Sequence, residues 1–285
     1  MLLTRFRALR SLPHALATCA LLLSLGQPAC AQSATNPSAS TPSSTQSPTQ
    51  SSTQPDTPPS ALPDAPQPAL TPRDLPRNIL HDQAAIWTSP AHLRMSNALG
   101  PVALVLATTL VITTDHQVMS SSRLQNASLN SHASTASNGL VGGFVAAPAI
   151  IYGLGRFRHD DHATETGILG AEAIVDSLAV NEVLKIVSLR ERPTVDNARG
   201  RFFQPSVAFN SSFPSNHAIV AWSSATVIAS EYPGILTKIT AYGLATGVSL
   251  SRVLGREHFP SDVLVGSAIG WMIGRYVVHR HRRAE

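Results

Sequence analysis

The 285-residue sequence holds only two cysteines, Cys19 and Cys30, and both lie in its first 31 residues. A chain processed after that segment has no thiol and forms no disulfide, so cysteine usage leaves its redox compartment open. A basic excess is missing as well. The formal charge is +4, but Arg5, Arg7 and Arg10 belong to the same opening segment, and without them it falls to +1. Net charge therefore gives no support to nucleic-acid binding, and no nucleic-acid partner is expected. No stretch alternates apolar and polar residues in the two-residue period of a half-buried strand, which points away from a sheet. Long apolar runs are few too: the longer segments sit near the minimum length for crossing a bilayer.

What is present divides the chain. Residues 1–31 have the layout of a secretory signal peptide: a basic start, a short apolar run, then Ala29-Cys30-Ala31, with cleavage expected before Gln32. Residues 32–70 are Ser, Thr, Pro and Gln with scattered alanine, too poor in apolar surface to offset chain entropy, and read as a disordered linker. Residues 71–97 read as an amphipathic strap. Ile79, Leu80, Ile86 and Trp87 share its apolar face, opposite His81, Asp82 and Gln83, and Ser89-Pro90 resembles a cap opening a further helix. Six apolar segments follow, near 98–114, 138–155, 164–191, 216–231, 234–254 and 262–280, and residues 281–285 form a basic tail. The expected fold is all-α, a bundle of about six helices embedded in a membrane, with its site at one end.

Chemistry-bearing residues recur at the segment ends. Lys185 is followed, after six residues, by Arg192-Pro193; Pro214-Ser215-Asn216-His217 opens the fourth segment. Ser251-Arg252 is followed by His258 and, four residues on, by Asp262. Lys185 and Arg192 are seven residues apart, which on one helix puts them on a shared face about 10 Å apart. Proline after Arg192 disfavours helix there and closes the third segment. Antiparallel neighbours then bring all three blocks to one end of the bundle.

In order and spacing these blocks closely resemble the signature of the type 2 phosphatidic acid phosphatase family, which also includes bacterial acid phosphatases and vanadium haloperoxidases. Asn216 is the one departure, standing where the family has glycine. The resemblance spans about residues 98–280. It implies a metal-independent phosphatase without a cofactor, acting on a phosphate monoester or diphosphate of a lipid or isoprenoid. It further implies His258 as the nucleophile forming a phosphohistidine, Asp262 as its orienting carboxylate and His217 as the general acid. Lys185, Arg192, Ser215, Asn216 and Arg252 would bind the phosphate. The bulk of Asn216 is expected to narrow the pocket. A broad-specificity periplasmic acid phosphatase is the alternative, a haloperoxidase ranks below it, and a non-catalytic phospholipid-binding scaffold is a reading of another class.

Two further expectations concern place and metal. After export, six spans would put the motif end in the cytoplasm. Five spans, with 98–114 outside lipid, would put it in the periplasm and keep Arg156, Arg158 and the basic tail inside. An exported chain with a periplasm-facing site, in the inner membrane or as a soluble bundle, is the preferred reading. The run His159-Asp160-Asp161-His162 could hold a metal, but such loop runs are more often solvated, and none is assigned.

Overall fold

The computed structural model describes residues 70–282 apart from 93, 95, 97, 208 and 209, so the leader and nearly all of the linker fall outside it. Seven α-helices occur among the described residues: α1 Leu75–Thr88, α2 Leu99–Met119, α3 Ala127–Arg158, α4 Asp161–Ser188, α5 Asn216–Glu231, α6 Ile235–Leu254 and α7 Pro260–Arg282. No strand occurs among them, and the all-α reading stands. Helices α2 to α7 run back and forth. The site end gathers the ends of α2, α4 and α6 and the starts of α3, α5 and α7.

Helix α5 is the axis. Eleven of its 16 residues are buried, and it packs most extensively against α7. Gly266, Gly270 and Gly274, one per turn of α7, permit that approach: a Cβ at Gly266 would come within 2.8 Å of the Ser215 carbonyl, and one at Gly274 within 2.7 Å of the Ser223 carbonyl. Above it, Trp222 packs with Phe144, Ala245 and Val248, and its indole N–H donates to Ser249 at 3.0 Å. A second cluster, Met119, Leu124, Val253, Phe259 and Val263, forms the floor beneath the site end.

Several boundaries differ from expectation. Helix α3 begins eleven residues before the apolar segment expected from 138, so the Ser- and Asn-containing residues 127–137 are helical; Asn126 caps it by accepting from the Leu129 amide at 3.1 Å. Its small polar residues lie among polar partners, so they need not signal a loop. Helix α4 stops at Ser188, not at Arg192-Pro193, because Leu189 turns into the left-handed region at φ 43°. Arg192 is thus off the helix, and the shared helical face proposed for Lys185 and Arg192 does not exist. Ser89-Pro90 opens only a short 3-10 turn that ends at His92.

The strap meets the expectation only in part. In α1, Asp82 is fully buried, whereas Leu80 is 74% exposed and Trp87 44% exposed. The polar face docks because the receiving surface is polar. Asn78 donates to Glu172 and Gln83 to Asp176, while Asp82 meets Tyr276 and Arg280. Ile79 and Ile86 are half-buried and His81 is exposed, as the apolar rule expects, and Ile86 packs against the core between α4 and α7.

Helices α2 and α3 are long and apolar enough to cross a membrane, and little of either is buried. Leu99, Val102, Val105, Leu106 and Leu110 on α2, and Val145, Ile150, Leu154 and Phe157 on α3, lie exposed. Burying such a side chain is worth roughly 1.5–3 kcal/mol, so faces of this kind favour lipid over water. The segment that the five-span reading left outside the bilayer is one of these two helices.

Candidate active site

The sequence-predicted residues come together through a continuous set of contacts at the site end. His258 lies in the turn between α6 and α7 and is 2% exposed. Its Nδ1 lies 2.7 Å from the Ser212 carbonyl oxygen, so Nδ1 carries the hydrogen and Nε2 keeps its lone pair. The expected partner, Asp262, is farther off: its Oδ2 is 3.6 Å from Nδ1, beyond hydrogen-bonding distance. The tautomer is therefore fixed by a backbone carbonyl, with the carboxylate as a nearby charge. Burial pushes the His258 imidazole towards its neutral form, and Asp262 partly opposes this.

Asp262 instead anchors the turn. Its Oδ2 accepts from the Phe259 amide at 2.9 Å and the Ser212 hydroxyl at 2.5 Å, and its Oδ1 accepts from Arg190 Nη1 at 2.5 Å. Arg190 is 1% exposed. It also donates from Nη2 to Asp115 of α2 at 2.7 Å, from Nη1 to the Ser261 hydroxyl at 2.7 Å and from Nε to the Gly200 carbonyl at 3.2 Å. The rings of Phe202 and Phe259 lie 4.6 and 4.1 Å from its guanidinium carbon. Gly200 has φ 60°, and a Cβ there would lie 2.6 Å from the Phe259 ring, so this position requires glycine.

Three cationic groups lie at the same end, and the charges of Arg192 and Arg252 reach His258. Lys185 Nζ donates to the Ser211 carbonyl at 2.9 Å. Arg192 Nη1 donates to the Glu257 carbonyl oxygen at 3.1 Å, and its Nε donates to Asn210 at 2.8 Å. Arg252, in the last turn of α6, is 5% exposed and donates to Ser137 at 3.1 Å and Asn138 at 3.4 Å. The carboxylate of Glu257 lies between Arg192 and Arg252.

His217 sits in the first turn of α5, and its Nε2 is 2.8 Å from Asn138 Oδ1. Because the donor-only Arg252 shares that oxygen, Nε2 is the donor in the pair. Burial, then the charges of Arg252 and His258, push the His217 pKa down to about 4. Ser215 is the N-cap of α5, with a long 3.5 Å contact from the Ala218 amide to its hydroxyl. Asn216 Oδ1 accepts a short hydrogen bond from Asn181 of α4. Asn181 is fully buried, so this contact ties the departure from the motif to a neighbouring helix.

Sequence reasoning missed Arg190, Asp115, Asn138, Asn181, Ser212 and Glu257. Arg190 lies two residues before a motif arginine, and its partner Asp115 is the lone acid of an otherwise uncharged helix. Such an acid is costly without a partner, and that was a readable signal. Asn138 carried no signal. The run at 159–162 does not converge on a site: Asp160 caps α4 through the Ala163 amide, and His162 pairs with Glu231. The acids that do cluster are Asp82, Glu172 and Asp176, under the strap.

Residues 166–285 match the family model of the PAP2 superfamily. A lipid A 1-phosphatase of Porphyromonas gingivalis is 34% identical over 77 residues, which cover 26% of this chain and 17% of that protein. Among solved structures, a transmembrane PAP2-type phosphatidylglycerolphosphate phosphatase of Bacillus subtilis is 25% identical. That match covers 65% of this chain and 97% of the other, with a TM-score of 0.49.

Proposed function

We propose, from the premise that residues 166–285 belong to the PAP2 superfamily, that this protein is a membrane phosphatase. It would hydrolyse a phosphate monoester or diphosphate of a lipid or isoprenoid through a phosphohistidine. The observation that carries this reading is the buried His258, its Nδ1 held by the Ser212 carbonyl and its Nε2 lone pair free, beside Arg192 and Arg252. A neutral, oriented imidazole with two permanent cations nearby suits attack on an anionic phosphorus centre.

In the first step Nε2 of His258 attacks phosphorus, the bond to the leaving oxygen breaks, and the His217 imidazolium gives that oxygen a proton. In the second, water attacks the phosphohistidine, His217 takes the water's proton, and inorganic phosphate leaves. Lys185, Arg192 and Arg252 neutralise the phosphoryl oxygens. Asp262 stabilises the cationic imidazole, and Ser215 with the α5 amides faces the same anion. The exposed apolar faces of α2 and α3 favour a lipid substrate over a soluble one. We place the site end on the periplasmic side.

Acid-quench trapping with labelled substrate tests the mechanism. Wild-type protein in detergent, with chelator present, should trap label and lose it to vanadate; His258→Ala should trap none. Label retained by His258→Ala would overturn the assignment, and turnover confined to soluble esters would favour the periplasmic acid phosphatase.

A further inference from the structure

Glu257 immediately precedes the nucleophile, yet its carboxylate lies where an anion is wanted. Its Oε2 is 3.3 Å from Arg192 Nη1 and 3.4 Å from Arg252 Nη2. Its Oε1 accepts from the Ser134 hydroxyl of α3 at 3.1 Å. One carboxylate thus bridges two arginines that the phosphatase reading gives to the substrate. These contacts are long beside the 2.7–2.9 Å usual for charge-assisted hydrogen bonds. The side chain is 35% exposed, so it has an open path to water.

The backbone around it is anchored. The amides of Glu257 and His258 both donate to the Arg252 carbonyl, at 3.1 and 3.3 Å. The Glu257 carboxylate can therefore leave the arginines by side-chain rotation alone, without moving His258. No other carboxylate forms an ion pair with either Arg192 or Arg252 among the described residues.

We propose that Glu257 is a specificity-determining residue, a displaceable carboxylate that holds Arg192 and Arg252 in the empty site and yields them only to a more highly charged anion. A phosphate monoester dianion brings two charges to the pair and displaces the single charge of the carboxylate. A phosphodiester brings one, gains nothing over Glu257, and must still desolvate. The residue thereby screens out the monoanionic diesters that make up bulk phospholipid and admits monoester or diphosphate headgroups. This inference rests on the phosphatase reading and extends it to substrate choice.

The test is calorimetric titration of the full chain in detergent with two probes at pH 8: inorganic phosphate, a dianion, and diethyl phosphate, a monoanion. Glu257→Gln should tighten phosphate binding about two- to fivefold, the scale of one partly exposed ion pair. It should tighten diethyl phosphate by a similar factor, because either anion displaces the same carboxylate, and so bring this weakly held monoanion into the measurable range. Ser134→Ala keeps the charge and removes one tether, and should tighten phosphate by a smaller factor; it covers the case of a misfolded Glu257→Gln. If wild-type protein binds phosphate but neither variant tightens it, Glu257 is not a competitor, while the phosphatase reading stands. If wild-type protein neither binds phosphate nor turns over p-nitrophenyl phosphate, both readings fail.

Discussion

At the scale of single residues, the two histidines are held in ways that suit different work. His258 is buried, and a carbonyl oxygen fixes its tautomer. His217 is tied to Asn138 and faces the cations of the site, so it is neutral at neutral pH while the site is empty. In the proposed mechanism it becomes a proton donor when a phosphate dianion offsets Arg252. A lowered pKa means that the acid form is lost as pH rises through about 4 in the free enzyme. Since kcat/KM reports the free enzyme, its value for an alkyl phosphate should decline with pH above that point, while p-nitrophenyl phosphate gives a flatter profile. His217→Ala should cost about 10²–10⁴-fold with the alkyl ester and much less with p-nitrophenolate as leaving group. Parallel profiles and equal losses would remove His217 from the general-acid role.

The same scale shows where reading the sequence stops. Lys185, Arg192, His217, Arg252, His258 and Asp262 stood out in the sequence because their order and spacing resemble a family signature. What holds them did not: Asn138 is 79 residues from His217, and Asp115 is 75 from Arg190. Asn216 illustrates the difference. Its departure from glycine was visible, but its link to a buried amide of α4 was not.

At the scale of elements, Arg190 joins three parts of the fold. It links Asp115 of α2, Asp262 of α7 and the segment after α4 that carries Gly200. Both carboxylates and the guanidinium are nearly inaccessible, at 3% or less exposure. Removing the central cation would leave two buried carboxylates uncompensated, which usually costs about 3–5 kcal/mol. Arg190→Met should lower unfolding stability by that order in denaturant titrations in micelles. Replacing Asp115 by leucine in the same chain should recover part of it. A loss below about 1 kcal/mol would show that the network contributes nothing net. The strap teaches a related lesson about elements. Hydrophobic periodicity assumes an apolar receiving surface, and α1 docks on Glu172, Asp176, Tyr276 and Arg280 instead. Its buried face was therefore read only in part: Ile79 and Ile86 are half-buried, but the most buried residue is Asp82.

At the scale of the molecule, the alternation of α2 to α7 sets a constraint that single segments did not reveal. Asp82 of α1 meets Arg280 near the end of α7, and Arg156 and Arg158 close α3 at that same end. The residues proposed to bind phosphate lie at the other. If all six helices cross the bilayer, α1 and the site lie on opposite sides. A leader cleaved on the outer side would then bring the site inside, whereas a periplasmic site would keep α1 with the arginines in the cytoplasm. The positive-inside rule favours the second arrangement. In a chain with Cys19 and Cys30 replaced by serine, Ser206→Cys reports the site end and His159→Cys the far end; both positions are exposed. A membrane-impermeant maleimide on intact spheroplasts should label position 206 and spare 159 until lysis. The reverse pattern would place the site in the cytoplasm. Labelling of both without lysis would mean that the bundle is not threaded through the bilayer, and that the apolar faces of α2 and α3 rest on a membrane or a partner instead.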